Sequence, residues 1–310
     1  MAKIQTLHFK HYKWINITNP GEAEIKYLRE NFKFHPLDLE DCIRPTHRTK
    51  IDIYPKYSFL VFLFPVYNRK TREIFPAEID FFISKNYFVT INAGNMPTFV
   101  DFFRLLQISE ELRGSFDGGS PERLLYEILN KLFLYCLPML DHLIVDCDNI
   151  EKAIFDGHEK KMVSEILIIR RNIIDYRRIM QVHKNNLKKA IDNFKESPLF
   201  VLKKTDVYFD NLVDYSKEIW DALEGLKERI TTLHQTNESL ISFKLNDIMR
   251  ILTIISVITF PITLIATVFG MNTVHAMPFL NHKYGFWMVV GIMVLIAGGM
   301  LTVFKRKRFL

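Results

Sequence analysis

Thr253, Ser256, Thr259 and Thr263 stand three, three and four residues apart within Ile251 to Phe269, nineteen residues without a charge. That spacing puts the four hydroxyls along one face of a helix. Such a row has two uses at membrane depth. It can border a water-filled path for a polar solute. It can also let helices pack closely and satisfy backbone groups freed by Pro261. Spacing alone leaves both open. A second set is Asp206, Asp210 and Asp214, four residues apart on one helical face. They read as a solvated face or, more sharply, as a cytoplasmic metal site between subunits. Asp146, Asp148 and Glu151 read as a solvated face. His8 and His11 point to opposite sides if their segment is a strand, and His35, before Pro36, reads as a turn residue. Cys42, Cys136 and Cys147 lack CxxC spacing, which fits a reducing cytosol and no zinc ribbon. There is no Gly-rich phosphate loop, no GxSxG, no HExxH and no nucleophile–base constellation. The chain does not read as an enzyme, and no cofactor is expected.

The elements that would hold the hydroxyl row are membrane spans. Nineteen uncharged residues are about what a helix needs to cross roughly 30 Å of hydrocarbon. A second uncharged run, Tyr284 to Phe304, follows a short loop and is itself followed by Lys305-Arg306-Lys307-Arg308. Basic residues stay inside. Lys244, Arg250 and the basic tail therefore put both termini in the cytoplasm, with the loop from Thr273 to Lys283 outside. The net charge is +6, but the basic residues are scattered and their densest cluster flanks a span. That reads as an anchor in a lipid bilayer, not as a nucleic-acid surface. The N-terminus carries no apolar segment of the kind a cleaved signal peptide has.

Upstream, the first 95 or so residues read as mixed α/β. Strands are predicted at Trp14 to Ile17 and Tyr57 to Val66, with a helix over Gly21 to Phe32. A hairpin, Ile79 to Ile83 with Tyr87 to Ile91, turns at Ser84-Lys85-Asn86. Gly114 to Pro121 breaks the pattern. A long helix then runs to about Phe155, with a kink expected at Pro138. A second is predicted from Met162 to Phe194, antiparallel to the first across Gly157. From about Lys204 to Phe269 the periodicity predicts one helix about 100 Å long at about 1.5 Å per residue. Leu212, Ile219, Leu226, Leu233 and Leu240 recur every seven residues in it, a seam that predicts self-association. The expected organisation is a cytoplasmic α/β domain with a helical hairpin over 1–198 and a stalk helix over 199–247. Transmembrane helices over 248–272 and 284–304 flank an extracellular loop at 273–283, and a basic tail covers 305–310.

Gly270-Met271-Asn272, at the end of the first span, resembles the signature of the CorA family of magnesium transporters. Asn246, Met249, Arg250, Leu252, Thr253, Pro261 and Thr263 stand where that family has its Asn-x-x-Met-Lys-x-Leu-Thr … Pro-x-Thr pattern. Met277-Pro278, Tyr284-Gly285-Phe286, HPLDLEDC (His35 to Cys42) and EIDFFISKNYFVTIN (Glu78 to Asn92) resemble further family segments. The resemblance covers nearly the whole chain. It implies a homopentameric funnel in the inner membrane, with a pore lined by the first span. It implies transport of divalent cations, Mg²⁺ first with Co²⁺ or Ni²⁺ next, and Mg²⁺ as a regulatory ligand. Gly270, Met271 and Asn272 would form the outer mouth, Thr263 a further polar ring, and Asn246 the cytoplasmic side. Met249 and Leu252 would form an apolar gate. Mg²⁺ gives up water reluctantly, so neutral amide and carbonyl oxygens suit a hydrated ion. The chain departs from the family pattern at Phe279, where an acid is usual, and at Phe260. It also departs at Asn211, Asn68 and Gln235, which fall at or near positions the family fills with acids. A Zn²⁺-transporting relative and a non-conducting membrane-anchored sensor are the competing readings.

Overall fold

In the computed structural model the described residues are 3–44, 48–196, 206–271, 278 and 282–307. The chain divides into two compact units, Met1–His234 and Gln235–Leu310.

The first unit is built on one six-stranded sheet. Its strands are β1 (Ile4–His8), β2 (Lys13–Thr18), β3 (Lys50–Ile53), β4 (Ser58–Asn68), β5 (Glu73–Ile83) and β6 (Tyr87–Asn92), in the order β1-β2-β6-β5-β4-β3. Only β2 and β6 pair in parallel; the other four pairs are antiparallel. The β5–β6 hairpin closes at the predicted turn, where the Ser84 amide donates to the Tyr87 carbonyl at 3.0 Å. β4 reads as a continuous apolar run because it is buried on both faces. A polar ladder fastens the parallel pair. Trp14 Nε1 donates to Thr90 Oγ1, Thr90 Oγ1 to Asn16 Oδ1, and Asn92 Nδ2 to the same oxygen, each at 2.9 Å.

Helices α1 (Glu22–Phe32) and α2 (Pro36–Asp41) cover one face, packing Ile25, Leu28 and Leu39 on Phe59, Phe82 and Val89. His35 is the cap of α2. Its Nδ1 accepts from the Leu37 amide at 3.3 Å and Pro36 takes the first helical position, the turn role expected of it. α3 (Pro97–Ile108) and the short α4 (Glu110–Gly114) lead to α5 (Pro121–Phe155), an unbroken helix with Pro138 inside it. Gly157, at φ 86°, turns the chain into α6 (Glu159–Met180).

Two expectations change here. The helix predicted from Met162 to Phe194 is two helices, α6 and α7 (His183–Glu196). The break turns His183 into the core against Phe62, Phe64 and Phe133. The heptad seam, predicted to pair copies, is used inside the unit over its first half. Leu212, Ile219, Leu223, Leu226, Ile230 and Leu233 of α8 (Asp206–Phe269) are buried. Phe209 meets Tyr126 of α5 and Phe194 of α7. Arg177 of α6 lies over the Trp220 ring and pairs with Glu224, and Arg229 bridges to Asp148 and Glu151 of α5. Asp148 and Glu151, read as a solvated face, therefore hold a stalk arginine.

The second unit holds the rest of α8 and α9 (Gly285–Arg306).

Candidate ion pathway on the apolar helices

Among the described residues, three helices are long and apolar enough to cross a membrane. α5 is one of them, but it buries Leu124, Leu125, Leu132 and Phe133 in the sheet unit, so its apolar face is already satisfied. Most apolar residues of α8 beyond Gln235 and of α9 are exposed instead. Phe260 is 73% and Leu295 76% exposed. Only a bilayer or other chains can cover that much apolar surface.

α8 presents two different faces over its uncharged stretch. Ile254 is buried, and Ile258, Pro261 and Ile265 are half-buried, at helical spacing on one side. At the end of that stretch a cleft of about 550 Å³ lies between Ala266 and Phe269 of α8, Gly270 just after it, and Gly285, Val289 and Met293 of α9. The opposite side carries the hydroxyl row. Each hydroxyl donates to the carbonyl one turn back: Thr253 to Met249 at 2.8 Å, Ser256 to Leu252 at 2.9 Å, Thr259 to Ile255 at 2.7 Å and Thr263 to Thr259 at 3.0 Å. Thr267 extends the row, donating to Thr263 at 2.6 Å.

This bonding pattern bears on the two uses of the row. Pro261 lacks the amide that would pair with the Val257 carbonyl, and none of these five bonds goes to that carbonyl. A hydroxyl that gives its proton to its own helix keeps its lone pairs facing outward. The exposed side of α8 is thus a row of acceptor oxygens without free donors, the polarity a cation or its hydration water meets favourably.

The predicted site residues fall as follows. Asn246, Met249 and Leu252 are exposed near the start of the uncharged stretch, with Met249 at 53% and Leu252 at 54%. Counting by helical turns, Asn246, Met249, Leu252 and Thr263 share the hydroxyl face, as does Phe260. Gly270 ends the helix, its amide donating to the Ala266 carbonyl at 2.9 Å, and the Met271 amide donates to Val268 at 3.3 Å. A Cβ added at Gly270 would lie 3.1 Å from the Ala266 carbonyl oxygen, so the helix end is too close for a side chain without movement. Asn272, with Met277 and Phe279, lies outside the described residues. Thr267 was not singled out from the sequence, although it stands four residues after Thr263.

The Asp206 side chain lies outside the described residues, and Asp210 and Asp214 are exposed. Among the described residues no group of three His, Cys, Asp or Glu side chains is placed to hold a metal. Asn68 belongs to the β4–β5 turn, where its Oδ1 accepts from the Lys70 amide at 2.9 Å. Asn211, on α8, is exposed.

The family model for CorA-like Mg²⁺ transporter proteins matches residues 9–306 of this chain. The cobalt/magnesium transport protein CorA of Thermotoga maritima is 27% identical over 298 residues, covering 96% of this chain and 83% of that protein. The putative metal ion transporter YfjQ of Bacillus subtilis is 29% identical, covering 95% of this chain and 88% of its own length. Among solved structures, the complete CorA magnesium transporter from Methanocaldococcus jannaschii superposes with a TM-score of 0.79 at 20% identity, over 97% of this chain and 92% of that one. That likeness carries the fold: an α/β unit, a long helix and two apolar C-terminal helices.

Proposed function

The chain belongs to the CorA-like Mg²⁺ transporter family, and from that membership we propose that it carries hydrated divalent cations, Mg²⁺ foremost, across the inner membrane through a homopentameric pore. The observation that carries the reading is the exposed hydroxyl face of α8, an acceptor-only row on an uncharged helix that leads to Gly270 and Met271. One such helix per chain cannot enclose a path, so copies must supply the rest of the wall.

In this reading the pore-lining helix is 248–272 and the second span is 284–304, with 273–283 outside and both termini in the cytoplasm. The outer mouth is a ring of Asn272 amides on the Gly270-Met271 helix end. It meets the cation through the cation's own water, because Mg²⁺ dehydrates reluctantly. Thr263 forms a second polar ring. Met249 and Leu252 form the constriction that closes by dewetting, with Asn246 on its cytoplasmic side. An inside-negative potential favours inward movement by about 2.3 kcal/mol per charge per 100 mV. Mg²⁺ is cargo here, and the path needs no cofactor. Asp206, Asp210 and Asp214 remain the stalk candidates for a regulatory cation.

The test is ion competition on the purified protein in liposomes. Mg²⁺ uptake suppressed by Co²⁺ and Ni²⁺ more than by Zn²⁺ supports the reading. Preferential Zn²⁺ uptake would assign zinc transport instead. No flux of any divalent cation from an intact oligomer would make the protein a membrane-anchored sensor.

A further inference from the structure

The polar ladder that fastens β2 to β6 leaves one donor over. Asn16 is only 5% exposed. Its Oδ1 accepts from both Thr90 and Asn92 of β6 at 2.9 Å. Those two bonds fix the planar amide and turn its Nδ2 away from β6, where it donates to no acceptor among the described residues. Buried polar groups are normally paired. Asn16 lines a pocket of about 400 Å³ between the β1–β2 edge of the sheet and α3. Gln5 pairs with Asn16 in the β1–β2 register, and Lys3, two residues earlier, continues the same face. Across the pocket stand Val100, Phe103, Arg104 and Gln107, at spacings that put them on one face of α3.

The lining selects a ligand. Lys3 and Arg104 supply positive charge, and no Asp or Glu is among the described residues that line the pocket. Each cation has an acid just outside it, Glu24 at 3.8 Å from Lys3 and Asp101 at 3.6 Å from Arg104. Neither pair holds its cation firmly. The Lys3 side chain is 52% and the Arg104 side chain 57% exposed, and exposed pairs of this kind are worth little. Neither acid is stranded when the cation turns inward. Glu24 keeps the Gly21 amide at 2.7 Å, and Asp101 faces water. The Gln5 and Gln107 amides can each donate and accept, which suits hydroxyl groups, while Val100 and Phe103 make an apolar wall.

We propose that this pocket binds a small phosphate monoester of a sugar or polyol, its phosphate held by Arg104, Lys3 and the Asn16 amide and its hydroxyls by Gln5 and Gln107. A guanidinium presents a planar fork of donors that matches phosphate oxygens. A volume of about 400 Å³ lies within the range of small-molecule sites. The Asn16 donor, left over by the ladder, gains its partner from the ligand. The site uses no residue of the ion path and does not rest on the transport reading.

The test is isothermal titration calorimetry of the full-length protein in detergent, in buffer free of divalent cations and at constant ionic strength. The probes are ribose 5-phosphate, inorganic phosphate and succinate. Ribose 5-phosphate binds the wild type, and Arg104→Gln and Lys3→Gln each weaken it about tenfold, the loss of a hydrogen bond to a charged group. Both positions are exposed, so the fold is kept. Lys26→Gln, at an exposed lysine outside the pocket, leaves binding unchanged. Asn16→Asp keeps an acceptor for Thr90 and Asn92 but turns the free donor into a carboxylate, and it abolishes binding. Inorganic phosphate binds more weakly than ribose 5-phosphate and shows the same losses. No heat with either phosphate, equal affinity in wild type and both exposed pocket variants, or an equal loss in Lys26→Gln would overturn the proposal. Succinate binding more tightly than either phosphate would overturn the ligand class.

Discussion

Acid should loosen the sheet unit through a single imidazole. His183 is fully buried, ringed by Phe62 and Phe64 of β4 and Phe133 of α5, and neither ring nitrogen has a hydrogen-bond partner. Burial alone pulls its pKa down to about 4, from an ordinary value of about 6.5. Between those two values the folded protein keeps the ring neutral while the unfolded chain takes up a proton. The unfolded state thus binds more protons, and stability rises with pH through this window. Above about pH 6.5 neither state binds the proton and the effect vanishes. At about 1.4 kcal/mol per pH unit, the interval costs about 3 kcal/mol by pH 4. The assay is denaturant unfolding of the full-length protein, followed by Trp fluorescence at pH 7.5, 6.5, 5.5 and 4.5, for wild type and His183→Leu. Leucine fills an apolar site and forfeits no hydrogen bond. The variant should lose most of the extra acid sensitivity between pH 6.5 and 4.5 while matching or exceeding wild type at the lowest pH. Identical pH slopes in the two proteins would refute the reasoning.

Three further outcomes follow from particular contacts. Tyr57→Phe should destabilise the sheet unit by about 2 kcal/mol. The Tyr57 hydroxyl donates to the fully buried Asp38 at 2.9 Å and accepts from the His35 amide at 2.8 Å, and unfolding measurements would read both losses together. Gly270→Ala should reduce Mg²⁺ flux several-fold with an intact oligomer, because the new methyl presses on the Ala266 carbonyl at the helix end; initial uptake rates check it. Thr263→Val should change helix stability by less than about 0.5 kcal/mol, since its hydroxyl bonds only to its own helix. The same change should slow flux, because it removes an acceptor oxygen from the path.

Much of this was legible from residue patterns. The two long apolar C-terminal stretches announce themselves by uncharged length, and the β5–β6 hairpin by its turn residues between apolar runs. His35 before Pro36 reads as the turn it makes. Other features are decided by tertiary context. β1 (Ile4–His8) and β3 (Lys50–Ile53) are edge strands with too few apolar residues to stand out, and their partners define them. No Gly or Pro marks the break between α6 and α7; the aromatic pocket around His183 does. The heptad seam shows why a period alone does not name a partner. Leu212 and Ile219 satisfy it equally well against the chain's own helices. In the pathway, the hydroxyl spacing was visible, but the direction of each proton was not. The carbonyls that Thr253, Ser256, Thr259 and Thr263 engage make the row acceptor-only, which spacing cannot tell.

The central claim is that this chain conducts through a pore whose outer mouth is Asn272. Its most direct test is Mg²⁺ uptake into dye-loaded proteoliposomes under an inside-negative potential, comparing wild type with Asn272→Ala. The account predicts potential-driven uptake in wild type and its loss in a variant that keeps the same oligomeric mass. Unchanged uptake in Asn272→Ala would contradict the placement of the mouth, and no uptake in wild type would contradict conduction itself.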